Sequence, residues 1–243
     1  MSIEVQTGSG RSPARRRGAV RRGGKRRERE IVDAAAKIFH EQGYANTSVQ
    51  DIADAVGILK GSLYYYIDSK QDLLFRVLSE VLDDALVIIE ELQAMDVPPL
   101  LKLREYVRRH VEYNASNLTK ISVYYHDFAM LSQERRATIL GLRRSYEAFL
   151  CALIEEAQRR GEVDREHVPN LLANSIFGTV NWIYTWYRPD GRASPQEIGD
   201  LYGELVINGV RGARMPQARR ASEARAGRRS HRPARAPAPP STP

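Results

Sequence analysis

From Ile31 to Val210 the apolar residues return every three or four positions, and few stretches alternate apolar with polar residues. That period matches the 3.6-residue turn of an α-helix and not the two-residue repeat of a strand, so the chain is confined to an all-α fold. Ile31, Ala34, Ala35, Ile38 and Phe39 mark a first helix, closed by Gly43. A second runs from Val49 to Val56, a third from about Lys60 to Tyr66, and Ser69 caps a long fourth carrying Leu73, Leu74, Val77, Leu78, Val81 and Leu82. Beyond Val97-Pro98-Pro99, helices are expected near 100–116, 120–131, 133–160, 167–187 and 195–210. No repeat of 20–50 residues is visible.

Charge divides the chain more sharply than its net +7 suggests. Residues 1–27 hold nine basic residues against one acidic, and 212–243 hold eight against one, whereas 28–211 hold 20 against 28. Neither basic end has apolar periodicity, so both are expected to be disordered tails around an acidic helical body. Arginine-rich tails attract phosphate without sequence preference, or simply aid solubility. No run of 18 apolar residues argues for a membrane span, and the basic N-terminus lacks the apolar region of a secretory signal. One cysteine, Cys151, excludes an intrachain disulfide and points to a reducing cytoplasm.

The most informative stretch is Thr47 to Lys70. Two short helices joined by a turn of about four residues containing Gly57 make a helix-turn-helix. Thr47-Ser48 followed by Asp51 forms an N-cap pair with an acidic partner. Ile52, Val56 and Leu63 are spaced to knit the helices together, which leaves Lys60, Ser62, Tyr64 and Tyr65 for solvent or a partner. A cation, a hydroxyl and two phenols on one short helix suit phosphates, base edges and thymine methyls in a major groove. Lys70, at a helix start where a cation opposes the helix dipole, would be favoured there by phosphate contact. The candidate DNA-contacting residues are Thr47, Ser48, Lys60, Gly61, Ser62, Tyr64, Tyr65 and Lys70.

This stretch resembles the TetR family of bacterial transcriptional regulators. Their Lys-Gly-Thr/Ser-Leu-Tyr-His/Tyr-Tyr-Phe core with a downstream Ser-Lys is matched by Lys60 through Ile67, then Ser69 and Lys70. Two positions depart from the commonest pattern: Leu59 replaces a small polar residue, and Ile67 replaces Phe. The resemblance implies a three-helix DNA-binding domain over 28–75 and a helical ligand-binding and dimerisation domain over 76–211. It implies a homodimer on a pseudo-palindromic double-stranded operator, and repression relieved by a small hydrophobic effector.

Residues 100–211 carry most of the aromatics, and Tyr124, Tyr125, Phe128, Asn174, Phe177, Asn181 and Trp182 are candidate walls of an effector pocket. The same residues could serve as core or as a subunit interface. The segment Asn181 to Arg192 resembles a subset of TetR-family repressors of fatty-acid, sterol-ring and aromatic-acid degradation, which implies an acyl-CoA thioester as effector. Arg135, Arg136, Arg143, Arg144 and Arg188 are available for its phosphates. The last two helices are candidates for a four-helix dimer interface. The histidines show no metal-ligand spacing, and no set of nucleophile, base and oxyanion donors assembles, so neither a metal, a cofactor nor an enzyme is implied. The alternative is a helical enzyme or carrier with an accidental helix-turn-helix likeness.

Overall fold

The structure, a computed structural model, describes residues 13–212, with side chains from 24 to 211. Ten α-helices make up these residues, without a strand among them: α1 (Pro13–Gln42), α2 (Val49–Ala55), α3 (Lys60–Leu63), α4 (Lys70–Ala94), α5 (Pro99–Ser116), α6 (Leu118–Asp127), α7 (Gln133–Arg159), α8 (Pro169–Asn181), α9 (Ile183–Trp186) and α10 (Pro195–Gly212).

The caps read from sequence are in place. Ser48 and Asp51 form a reciprocal capping box at the start of α2, and the Ser69 hydroxyl accepts from the Asp72 amide at the start of α4. Gly43 and Gly57 take positive φ, 81° and 68°, directly after α1 and α2, a conformation that a side chain would resist.

Three expectations are corrected. The basic segment 1–27 is helical from Pro13 onward, while 1–12 and 213–243 lie outside the described residues. Arginine and alanine are good helix formers, and near its end the segment is anchored. Arg26 and Arg27 pair with Glu30 at 2.9 and 2.8 Å, and Arg27 Nη2 donates to the Val56 carbonyl at 2.8 Å. The stretch expected as one helix over 120–131 ends in a 3-10 turn, Phe128–Met130. The stretch expected over 167–187 breaks at Trp182, close to the Val180 carbonyl to which Asn114 Nδ2 on α5 donates at 3.1 Å.

Two apolar cores result, and α4 belongs to both. Leu73 to Leu82 pack with α1, α2, α3, the middle of α6 and Ile139 of α7, whereas Ala85 to Leu92 pack with α5, the later part of α7, α8 and α10. The division expected at 75/76 therefore falls inside a continuous helix. A displacement of α4 at one core must be felt at the other.

Candidate functional site

α3 is short, and its inward side anchors it. Leu63 is fully buried and Ile67 nearly so, while hydrogen bonds from Tyr66 N and Ile67 N to the Leu63 carbonyl continue the turn past the helix end. The opposite side is left to solvent: Lys60 and Gly61 are exposed, Ser62 is half-buried, and Tyr64 and Tyr65 are 48% and 88% exposed. The helix expected from Lys60 to Tyr66 thus ends at Leu63, and a positive charge on it and two phenols in the turn that follows are presented together by the second half of the motif, the part that enters a major groove.

Two expected DNA contacts are placed differently. Thr47 is buried, and its hydroxyl donates to the Gly43 carbonyl at 3.0 Å. Lys70 Nζ donates to the Tyr44 and Thr47 carbonyls at 2.8 and 2.7 Å and lies 4.3 Å from the Tyr44 ring centre. The dipole cost of a cation at the α4 start is therefore offset by carbonyls within the protein. Both residues lock the α1–α2 loop onto α4 and so hold α2 and α3 in position. Ser48 is exposed, with its hydroxyl engaged in the cap.

The second feature is a pocket with about 530 Å³ of empty space, part of it open to solvent. α4 supplies Val81, Leu82 and Ala85, α5 supplies His110, Tyr113 and Asn114, and α6 supplies Ile121, Tyr124 and Tyr125. α7 adds Arg143, Tyr146 and Glu147, and α8 adds Phe177 and Asn181. Apolar walls with a few convergent polar groups are the composition of ligand sites. Burial pulls the pKa of His110 down to about 4, so its ring is neutral at pH 7, even though the Asn181 contact acts the other way. With Nε2 donating to Asn181 Oδ1 at 2.7 Å, Nδ1 accepts from the Tyr146 hydroxyl. Burial also raises the Tyr113, Tyr125 and Tyr146 hydroxyls above their ordinary range and keeps them protonated. At the wall, Arg143 pairs with Glu147 at 2.7 Å.

Of the seven residues expected around a pocket, Tyr124, Tyr125, Phe177 and Asn181 line it together. The other three do not. Phe128 sits in the 3-10 turn after α6 and packs against the N-terminal core. Asn174 is exposed and bonds to Asn170 at 3.4 Å, and Trp182 is 63% exposed. Both of these lie on the outer side of α8, in line with Leu171. Sequence reading missed His110, Tyr113, Asn114 and Tyr146, and placed Arg143 only as a cation for the effector's phosphates. The available signal was a pair of polar residues, His110 and Asn114, set four apart within the apolar stripe of Tyr106, Val107 and Val111.

Among the described residues no group of acidic, histidine and cysteine side chains could hold a metal ion, and no helix is long and apolar enough to cross a membrane. The family model described as bacterial regulatory proteins, tetR family, matches residues 31–77, and the one described as tetracyclin repressor-like, C-terminal domain, matches 96–210. The HTH-type transcriptional repressor KstR2 of Rhodococcus jostii strain RHA1 is 29% identical over 189 residues, which cover 76% of this chain and 91% of that protein. The TetR-family transcriptional regulator PfmR from Thermus thermophilus superposes with a TM-score of 0.69 at 30% identity, covering 76% of this chain and 99% of that one. AibR, solved with isovaleryl coenzyme A and operator DNA, superposes with a TM-score of 0.68 at 30% identity, covering 74% and 98%. A helix-turn-helix on a helical pocket domain, matched over both halves by these regulators, makes the chain a member of the TetR family and a DNA-binding transcriptional regulator, not an enzyme.

Proposed function

We propose that this protein is a cytoplasmic, homodimeric repressor whose paired α3 segments read a pseudo-palindromic operator and which an acyl-CoA thioester releases. The observation that carries this reading is the course of α4. The same helix packs on the DNA-binding core through Leu73 to Leu78 and lines the pocket through Val81, Leu82 and Ala85. A ligand that differs in affinity for two settings of α4 would shift the spacing of the two recognition elements.

Subunit pairing is supported by an unpartnered apolar face. Leu171 and Trp182 on the α8 side are 60% and 63% exposed, and Leu201 and Leu205 of α10 are each 57% exposed. Ser175 and Gly178, exposed between Leu171 and Trp182, would let a second copy approach closely. Such a stripe on two neighbouring helices suits a four-helix interface between identical chains.

The thioester class rests on the relatives' likeness and on charge. AibR was solved with isovaleryl coenzyme A. In this chain the apolar walls of the pocket suit an acyl group, while cations on α7 lie nearby for phosphates. Arg143 is at the pocket wall, and Arg136 lies two turns earlier on the same side of α7. Arg135 is committed elsewhere, to Asp72 at 3.4 Å and to the Phe75 ring.

The test uses a duplex selected by the full-length protein from a random-sequence library. Isovaleryl-, hexanoyl- and palmitoyl-CoA are added to the complex, with the free acids and free CoA as controls. Release by a thioester alone is expected. The same thioester at 100 times its Kd should add about 2.7 kcal/mol of stability, or roughly 5–10 °C in Tm for a chain of this size. If no thioester releases DNA or shifts Tm, the effector class falls and DNA reading stands. Lys60→Ala and Tyr65→Ala should each weaken duplex binding more than tenfold with an unchanged far-UV spectrum, and undiminished binding by both variants would sink the role of α3.

A further inference from the structure

The two most exposed large apolar side chains among the described residues lie within one seven-residue stretch: Tyr65 at 88% and Leu59 at 79%. Tyr65 carries a hydroxyl that water satisfies. Leu59 has nothing that water rewards, and no other large aliphatic side chain of the described residues is as exposed. Its neighbour Ile58 packs against the N-terminal core, so the register is set and Leu59 is directed outward.

Leu59 is also the N-cap of α3. Its carbonyl accepts from Ser62 N and Leu63 N at 2.9 and 3.2 Å, but its side chain gives the helix no cap. Serine, threonine, aspartate or asparagine would stabilise this position, as Ser48 and Ser69 do at α2 and α4. A leucine here thus forgoes a cap and exposes apolar surface, both against folding stability. The side chain stands at the leading end of the element whose first residues meet base edges in the major groove. The one apolar group that the groove offers is the C5-methyl of thymine.

We infer that Leu59 is a specificity-determining residue that packs on a thymine methyl in each operator half-site. The inference rests on the DNA-reading role of α3 proposed above. Lys60 and Tyr65 beside it supply charge and hydrogen bonds, and Leu59 supplies a preference between bases.

The selected duplex is resynthesised with deoxyuridine in place of one thymine in each half-site, position by position, which removes only the methyl group. At one position the wild-type protein should bind the uracil duplex about fourfold more weakly per half-site, or about fifteenfold with both half-sites changed, as burial of one methyl predicts. Leu59→Ser, which restores a favoured cap, should bind the thymine and uracil duplexes equally, at the wild-type level for uracil. Leu59→Met should retain the preference. The inference is overturned if no position is methyl-sensitive in the wild type, or if Leu59→Ser keeps the wild-type ratio. It is also overturned if Leu59→Ser loses far more than fifteenfold on both duplexes alike. Failure to select any duplex would instead take down the DNA-reading role of α3, and this inference with it.

Discussion

His110 is a histidine held uncharged by its surroundings, with Tyr146 on one ring nitrogen, Asn181 on the other and 7% of its surface exposed. The unfolded chain takes up a proton near pH 6.5, while the folded chain resists until about pH 4 because burial disfavours the charged ring. Stability from this group is therefore complete above about pH 6.5 and is lost as pH falls toward 4, by roughly 2 kcal/mol at pH 5. Glu105, held at about 2 chiefly by Arg108, acts in a separate window: its contribution is present above its ordinary value of 4.5 and is lost only below it. Urea denaturation of wild type and His110→Phe at pH 7 and pH 5 should show the loss in the wild type and a much flatter response in the variant. Equal pH dependence would mean that the ring is not held neutral. The exposed set Lys60, Tyr64 and Tyr65 was legible in the sequence because six consecutive residues display it. The His110–Tyr146–Asn181 group was not, because its members lie about 35 residues apart and meet only when α5, α7 and α8 pack. Asn174 and Trp182 were misplaced for a related reason: an aromatic or an amide on α8 looks the same in sequence whichever side faces inward.

Helix α10 lies unusually close to α5, and its glycines show why. A Cβ added at Gly199 would stand 3.0 Å from the Arg108 carbonyl oxygen and 3.2 Å from its Cα, both backbone atoms that cannot turn aside. At Gly203 the nearest atom would be Arg104 Cγ at 3.0 Å, part of a flexible side chain that reaches on to Glu204 at 2.6 Å. Alanine is worth about 1 kcal/mol over glycine inside a helix, whereas overpacking costs about 1–3 kcal/mol. Gly199→Ala should therefore lose about 1 kcal/mol net, or roughly 2–4 °C in Tm. Gly203→Ala should stay within about 0.5 kcal/mol of wild type, because the side chain can move and the propensity gain survives. Thermal denaturation of the two variants decides the point, and equal losses would mean that α5 and α10 are not in backbone contact. Most elements were legible because amphipathic periodicity and the Ser48, Ser69, Gly43 and Gly57 end signals all act locally. Two departures lie at tertiary contacts: the break at Trp182 follows the Val180 carbonyl that Asn114 of another helix contacts, and the helical basic segment is anchored by Arg27 at the end of α2.

At the scale of the whole molecule, the question is how an occupied pocket is felt at α3. Besides α4, the proposed gating has a second candidate route in α6, which packs on α1 and lines the pocket with Ile121, Tyr124 and Tyr125. Lys120, one turn before Tyr124, lies with its Nζ 2.7 Å from Asp33 of α1 and 2.8 Å from Glu80 of α4. Lys120 is 20% exposed, while Asp33 and Glu80 are 53% and 35% exposed, so the tie is part-screened and gains from one cation bridging two helices. A ligand that pushes Tyr124 or Tyr125 thus moves a helix tied by charge to both long helices of the DNA-binding unit. Lys120→Met keeps the stem but removes the tie. Allosteric couplings commonly amount to about 5–150-fold in affinity. In Lys120→Met, the ratio of operator Kd with and without saturating thioester should shrink severalfold toward one. Thioester affinity in the absence of DNA should stay within about twofold, because Lys120 does not line the pocket. The remaining response would run through α4 and the Arg135–Asp72 pair, which the substitution leaves intact. Fluorescence anisotropy on labelled operator, with calorimetric titration of the thioester alone, separates the two quantities. A wild-type ratio in the variant would assign the coupling to α4 without help from α6, and a loss of thioester affinity would show Lys120 acting on the pocket itself.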